Sequence, residues 1–272
     1  MLRRMAALAP RLPDPLVWRI HGRSSLRGAL YRYVDWKDSA RIARSGPIPP
    51  AALRFRVHGD LDAESFLETG RQCSDDIRAA LGEIARDLGS FERILDFGCG
   101  CGRTLQWLGD YARPGSLHGT DIDRDAITWC RASIESAAFS VNGELPPLAY
   151  PNDHFDLVYA VSVFTHLAED RQLAWLKELR RVARPGALVL LTVRGASYAE
   201  QLGVNEAKEL ETRGFAFSQM PPYFQTLFPS WYQTATMTEP YIRGMWSAEF
   251  DVLRHLPQAL DGCQDVIVLQ KS

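Results

Sequence analysis

Residues 94–105, ILDFGCGCGRTL, set three glycines and two cysteines among apolar residues and close on an arginine and a threonine. Two chemistries compete for such a stretch. Cysteines spaced C-x-C can ligate a metal, whereas glycines behind an apolar run let a ligand lie against bare backbone. The metal reading lacks partners: Cys99 and Cys101 are two ligands, and no second C-x-C, C-x-x-C or H-x3-H pair completes a tetrahedral set. No metal is expected. For the glycine reading, spacing discriminates between ligands. A dinucleotide fingerprint, G-x-G-x-x-G, counted from Gly98 finds Gly100 but then Arg103 where its third glycine belongs. The pattern that fits is D-x-G-x-G-x-G, with Asp96, Gly98, Gly100 and Gly102. An acid at the end of the apolar run repels a pyrophosphate and suits a ligand that carries positive charge.

For those residues to meet a ligand, the surrounding chain must place the turn at the end of a strand. Apolar runs at 93–97, 116–122, 155–163 and 187–193 alternate with helical patterns at 103–112, 124–137 and 170–183, which predicts a parallel sheet covered on both faces. Ahead of the alternation, residues 60–88 carry apolar side chains at helical spacing (Ile77, Ala80, Leu81, Ile84, Leu88), with Ser74 expected as a cap before Asp75 and Asp76. After residue 194 the alternation stops. The stretch 195–246, dense in aromatics and prolines across 214–246, reads as a substrate-facing lid. Residues 249–257 and 264–271 flank a turn at Asp261 and Gly262 and are expected to close the chain as an antiparallel pair.

With 272 residues, 46% of them apolar, the chain is large enough for one α/β domain with attachments. The opening MLRRMAALAP is too short an apolar stretch for a secretory signal, and five scattered cysteines argue against a disulfide framework, so a cytoplasmic protein with free thiols is expected. The net charge of −2 conceals an asymmetry: residues 1–50 hold ten Lys or Arg against three Asp. This basic arm, separated from the remainder by PIPP at 47–50, could approach an anionic membrane face or a phosphorylated partner, but its arginines are spread out and not clustered, which favours a solvated helix. Nucleic acid is not expected as a partner, and the oligomeric state is left open.

Five segments in order, ILDFGCGCGR (94–103), LHGTDID (117–123), 139–167, 178–193 and QDVIVLQK (264–271), resemble the class I S-adenosylmethionine-dependent methyltransferases, in particular bacterial small-molecule enzymes. The resemblance covers residue 54 to the C-terminus. It implies an α/β, doubly wound, mostly parallel seven-stranded sheet with a C-terminal antiparallel strand pair, and S-adenosyl-L-methionine as cofactor. By that resemblance Asp96, Gly98, Cys99, Gly100, Gly102 and Arg103 hold the amino-acid end of the cofactor, and Asp121 with Ile122 holds the ribose. Asn142 and Gly143 line the adenine edge, and Ser162 and Phe164 lie near the reacting methyl. Asp121 closes the second strand, where a carboxylate accepts bonds from both ribose hydroxyls, and Asp123 or Asp125 is the better helix cap. His166 is placed to take a proton from an acceptor hydroxyl, since imidazole titrates near neutral pH. A small-molecule or glycan acceptor, methylated at oxygen, is expected to meet the helix at 60–88 and an apolar floor of Tyr223, Phe224, Trp231, Tyr232, Tyr241 and Trp246. Arg54, Arg56, His58, Arg71 and Arg243 are candidates for an anionic group on it. A nicotinamide enzyme and a catalytically silent cofactor-binding protein remain as alternatives.

Overall fold

The computed structural model describes residues 24–45, 47–220 and 228–272. The chain enters through α1 (Ser24–Ser45), α2 (Ala51–His58) and α3 (Ala63–Gly82), and then begins β1 (Ile94–Phe97). There follow β2 (Leu117–Asp121), α4 (Arg124–Ser133), β3 (Ala137–Val141), β4 (Phe155–Ala160), α5 (Glu169–Val182) and β5 (Ala183–Val193). The remaining elements are α6 (Val204–Arg213), β6 (Phe215–Ser218), β7 (Thr234–Met237), α7 (Glu239–Trp246), β8 (Asp251–Leu260) and β9 (Gln264–Gln270).

Seven strands form one sheet in the order β3-β2-β1-β4-β5-β9-β8, and β6 pairs with β7 in a separate two-stranded sheet. β1 through β5 are parallel; β9 is inserted antiparallel between β5 and β8. Strand order therefore reverses between β1 and β4, and at such a switch point the carboxyl ends of the strands leave a crevice.

Period-two alternation divides the apolar residues between two cores. Ile94, Leu157, Leu188 and Leu190 turn toward α3 and α4, where they pack with Phe66, Ile77, Leu81 and Ile127. Leu95, Phe97, Val158, Val189 and Leu191 turn to the other face, against Trp175, Leu176, Leu179 and Trp246. Strands sandwiched in this way read as continuous apolar runs, which is why the sequence marks them so clearly.

Three expectations are corrected. The segment 103–112 is not an α-helix: only Leu105–Trp107 is helical, as one 3-10 turn. The Trp107 and Leu108 amides bond three residues back, to Thr104 and Leu105, while the Gln106 amide still reaches four back to Gly102; the turn stays short because α3 presses on it so closely at Gly70 that a Cβ there would collide with the Arg103 carbonyl. The helix over 60–88 runs only from Ala63 to Gly82 and is capped by Asp62, whose carboxylate accepts from the Ser65 amide. Ser74, the expected cap, lies inside this helix and is 1% exposed. The stretch 195–246 is not one lid: it contains α6, β6, β7 and α7, since Phe215, Ala235, Met237 and Trp246 belong to the second core.

The basic arm is tied to the domain across PIPP. Asp35 of α1 accepts from the Ala51 amide at 2.7 Å, and Asp38 pairs with Arg54 at 2.6 Å.

Candidate functional site

β1 ends at Asp96 and Phe97, and the chain then turns through Gly98, Gly100 and Gly102, all at positive φ. A Cβ at Gly98 would strike Val163, and one at Gly102 would strike Ile134, so these glycines serve the turn's own packing as well as any ligand. The turn is held from the neighbouring strand. Asp121 accepts the Gly100 amide through Oδ2 at 2.7 Å and the Asp123 amide through Oδ1 at 2.8 Å. A carboxylate offers about four acceptor positions, so capacity remains beyond these bonds. Asp123 acts elsewhere, since its carboxylate caps α4 through the Asp125 and Ala126 amides and pairs with Arg56 at 2.7 Å.

These residues open onto a cavity of about 480 Å³, within the range of small-ligand sites, roughly 300–1,000 Å³. Asp96, Gly98, Cys99, Gly100, Arg103, Asp121, Ile122, Asn142, Gly143, Ser162 and His166 all line it. Two expected residues do not. Gly102 is turned into the packing beneath the turn. Phe164 is 0% exposed and stacks edge-on against Trp246 in the core, 5.5 Å between ring centres.

The lining is divided by chemistry. Around the glycine turn stand five carboxylates, Asp96, Asp121, Asp123, Asp125 and Glu144, against the guanidiniums of Arg56 and Arg103. Burial pushes Asp96 up to about 7, the Asp121 charge adds to that shift, and the Tyr159 hydroxyl opposes it. Asp121 is raised by burial too, against the opposing pull of its backbone bonds. The other half is aromatic and apolar: Leu167, Trp175, Phe228, Trp231 and Tyr232. Tyr232 stacks between His166 and Phe228, at 4.0 and 4.6 Å. Arg171 links the halves by pairing with Glu144 at 2.7 Å while lying 5.0 Å above the Trp231 ring.

His166 does not have the expected proton affinity. Its Nδ1 lies 2.7 Å from the Gln233 carbonyl, which fixes that nitrogen as the donor and leaves Nε2 as an acceptor. Burial pushes the ring down to about 3, and Arg194 contributes in the same direction. The ring is therefore neutral near pH 7 and a weak base. Ser162, beside it, adopts φ +60, a strained setting for a residue with a side chain. Thr192 and Gln264 hold it there: Thr192 Oγ1 accepts the Ser162 amide, and Gln264 donates to Ser162 Oγ.

Several acceptor candidates serve the fold. Arg54 is fully buried and donates to Asp38 and to the Leu61 and Pro49 carbonyls. Arg71 lies over Trp107, Arg243 pairs with Glu239, and His58 bonds Ser65 and Arg103. Tyr241 and Trp246 are core residues, and Tyr223 and Phe224 fall outside the described residues. Val57, Val163, Trp175 and Phe228 line the cavity without having been singled out in the sequence; as ordinary apolar residues they carry no signal there. Cys99 and Cys101 are buried thiols whose burial raises them, Cys101 to about 12, so they stay protonated.

The donor set fits a cofactor that carries positive charge and a ribose. The lining is acidic, Asp121 has acceptor capacity to spare, and the Arg103 Nε is buried without a partner among the described residues.

A seven-stranded sheet with the last strand inserted antiparallel, and a glycine turn tied to an acid at the end of β2, is the Rossmann-like fold of class I methyltransferases. Residues 94–186 match the model of a methyltransferase domain family. The chain is similar to a fatty-acid O-methyltransferase of Mycolicibacterium smegmatis, 35% identical over 102 residues that cover 37% of this chain and 36% of the relative. It is also similar to the methyltransferase GfsG of Streptomyces halstedii, 28% identical over 117 residues that cover 40% and 41%. The matches thus span well under half of either relative. Among solved structures, the PH0226 protein of Pyrococcus horikoshii shares the fold, with a TM-score of 0.51 at 18% identity over 73% of this chain and 89% of that one.

Proposed function

We propose that this protein transfers a methyl group from S-adenosylmethionine to an oxygen atom of a small, largely apolar acceptor. The observation that carries the reading is the division of one cavity into an acidic half at the glycine turn and an aromatic half formed by Trp231, Tyr232 and Phe228. In the acidic half Asp121 would hold the ribose, the Gly98–Gly100 backbone and Arg103 the amino-acid end, and Asn142 with Gly143 the adenine edge. When bound, the cofactor supplies a methyl on a sulfonium with a neutral thioether as leaving group, so positioning of the acceptor is the protein's main contribution. The aromatic half supplies flat apolar surface for an acceptor body. His166, neutral with Nε2 as acceptor, orients the hydroxyl by accepting its hydrogen bond, and the proton released on methylation passes to water. A glycan needs polar partners around its hydroxyls, and this half offers few besides Ser162 and His166. The choice of oxygen draws support from the fatty-acid O-methyltransferase among the relatives. Calorimetric titration with S-adenosylmethionine, S-adenosylhomocysteine and NAD, followed by labelled methyl transfer to hydroxylated and carboxylated apolar acceptors, tests this. Binding of NAD alone refutes it, and cofactor binding without transfer to any acceptor class identifies a silent binding protein.

A second reading concerns α1. Asp35 and Asp38 face the domain, while Leu26, Ala29, Tyr33 and Trp36 share the opposite face, Trp36 with 73% of its surface exposed. Arg32 and Lys37 flank that face. An apolar stripe with basic margins fits the interface of an anionic bilayer. Co-sedimentation with phosphatidylglycerol vesicles, lost in Trp36→Glu, tests this contact.

A further inference from the structure

Beside the end of β5 lies a second cavity, of about 180 Å³, lined in part by Arg194, Tyr198, Ser218, Thr234 and Thr236. β6 and β7 build its wall by alternation. Phe215 opposite Met237 and Phe217 opposite Ala235 face the core, so Ala216 opposite Thr236 and Ser218 opposite Thr234 face the other way. A face of serine and threonine on a two-stranded sheet belongs in water. Here it is shut in: Thr236 is 1% exposed, and both its Oγ1 and the Ser218 Oγ are buried with no hydrogen-bond partner among the described residues. Native proteins rarely leave such hydroxyls unsatisfied, and an unfilled ligand position is one reason to do so.

The cation of the same cavity is equally unmatched. The Arg194 backbone is fixed, its carbonyl accepting the Met237 amide at 2.9 Å. Its guanidinium lies 4.8 Å above the Tyr198 ring and pairs with no carboxylate among the described residues. Its charge is felt by His166, Tyr198, Tyr232 and Cys263, each of them neutral near pH 7. A half-buried guanidinium with no carboxylate partner among the described residues, lining one cavity with two unpaired hydroxyls, makes a receptor for an oxyanion.

We propose that this cavity is a binding site for a carboxylate. A planar monoanion matches one guanidinium fork in both charge and shape, and the two hydroxyls supply donors to its remaining lone pairs; a phosphate dianion would leave charge unbalanced. The site is separate from the cavity of the glycine turn, so this carboxylate is not the methylated group, and its binding requires neither cofactor nor turnover. It is the carboxylate of a free metabolite or a second polar end of the acceptor.

The test is titration of the full-length protein with sodium acetate, octanoate and inorganic phosphate at constant ionic strength, followed by amide chemical shifts and calorimetry. Acetate should saturate, with shifts centred on residues 194–202 and 234–236. Arg194→Gln should weaken it about tenfold or more, the loss of one charge-assisted pair, and Thr236→Val about threefold. Arg194→Lys, which keeps the charge but not the fork, should fall between the native protein and Arg194→Gln. S-adenosylhomocysteine affinity should be unchanged in all three, and without acetate Thr236→Val should melt no lower than the native protein, since its hydroxyl has no partner to lose. Should Arg194→Gln fail to fold, Thr236→Val and Ser218→Ala carry the comparison. Octanoate binding more tightly than acetate assigns the carboxylate to an acceptor tail, and equal affinity assigns it to a small metabolite. Absence of saturation, equal affinity across the variants, or preference for phosphate overturns the proposal, and none of these bears on methyl transfer.

Discussion

Replacing Asp121 by alanine should damage two properties, and the structure separates them. In the folded protein without ligand, its carboxylate accepts the Gly100 and Asp123 amides at 2.7 and 2.8 Å. Hydrogen bonds to a charged group contribute roughly 1.5–3 kcal/mol each, and water entering a half-buried site recovers part of that. A stability loss of about 2–3 kcal/mol follows, or roughly 4–12 °C in melting temperature for a chain of this size. Loss of the ribose contacts proposed for Asp121 should weaken S-adenosylmethionine by a further ~2–4 kcal/mol, about thirty- to a thousandfold. Asp123 is the control, since it also lines the cavity but is engaged in capping α4 and pairing with Arg56. Asp123→Ala should cost about 1–2 kcal/mol of stability and change affinity less than about threefold. Differential scanning calorimetry and isothermal titration on the two variants provide the comparison. Equal losses of affinity, or a greater loss in Asp123→Ala, would refute the ribose assignment.

Asp96 gives a pH dependence with a definite sign. An acid raised on folding to about 7 holds its proton in the native state but not in the unfolded one between its ordinary value and 7. Ligand-free stability should therefore fall as pH rises across that window, by at most about 1.4 kcal/mol per unit, and Asp96→Asn should flatten the curve. A cationic cofactor prefers the carboxylate, so affinity in the native protein should rise from pH 6 to pH 8, by up to about tenfold; an unchanged slope in Asp96→Asn would sink this. Arg54→Met should lower stability by roughly 3–5 kcal/mol in thermal unfolding, because it strands the partly buried Asp38 and two carbonyl groups. Cys99→Ala/Cys101→Ala should bind S-adenosylmethionine within about 1 kcal/mol of the native protein while melting lower, since both side chains are packed in the core. Stoichiometric zinc in the native protein that is lost in this double variant would contradict the reading of the cysteines.

Much of the sheet is legible in the amino-acid sequence, because strands covered on both faces must be apolar throughout and the helices between them must alternate. The glycine turn and Asp121 are legible for a related reason: positive φ and a carboxylate at a strand end are local demands that leave local marks. Residues 103–112 carry a helical pattern and form turns instead, since what decides there is the approach of α3 at Gly70, distant in sequence. The two halves of 195–246 look like one lid because aromatic residues are written alike whether they face a ligand or a core, and only packing sends Trp246 to one and Tyr232 to the other. Charge is the least legible feature. Arg54 and Arg194 are the same letter, yet Asp38 and backbone carbonyls saturate the first, while the second lies over the Tyr198 ring and pairs with no carboxylate among the described residues. The sequence determined which strands form and where the glycine turn lies, because those follow from short-range periodicity. Which arginines, histidines and aromatics are free to act was decided by tertiary structure, because burial and partners come from residues far away in the chain.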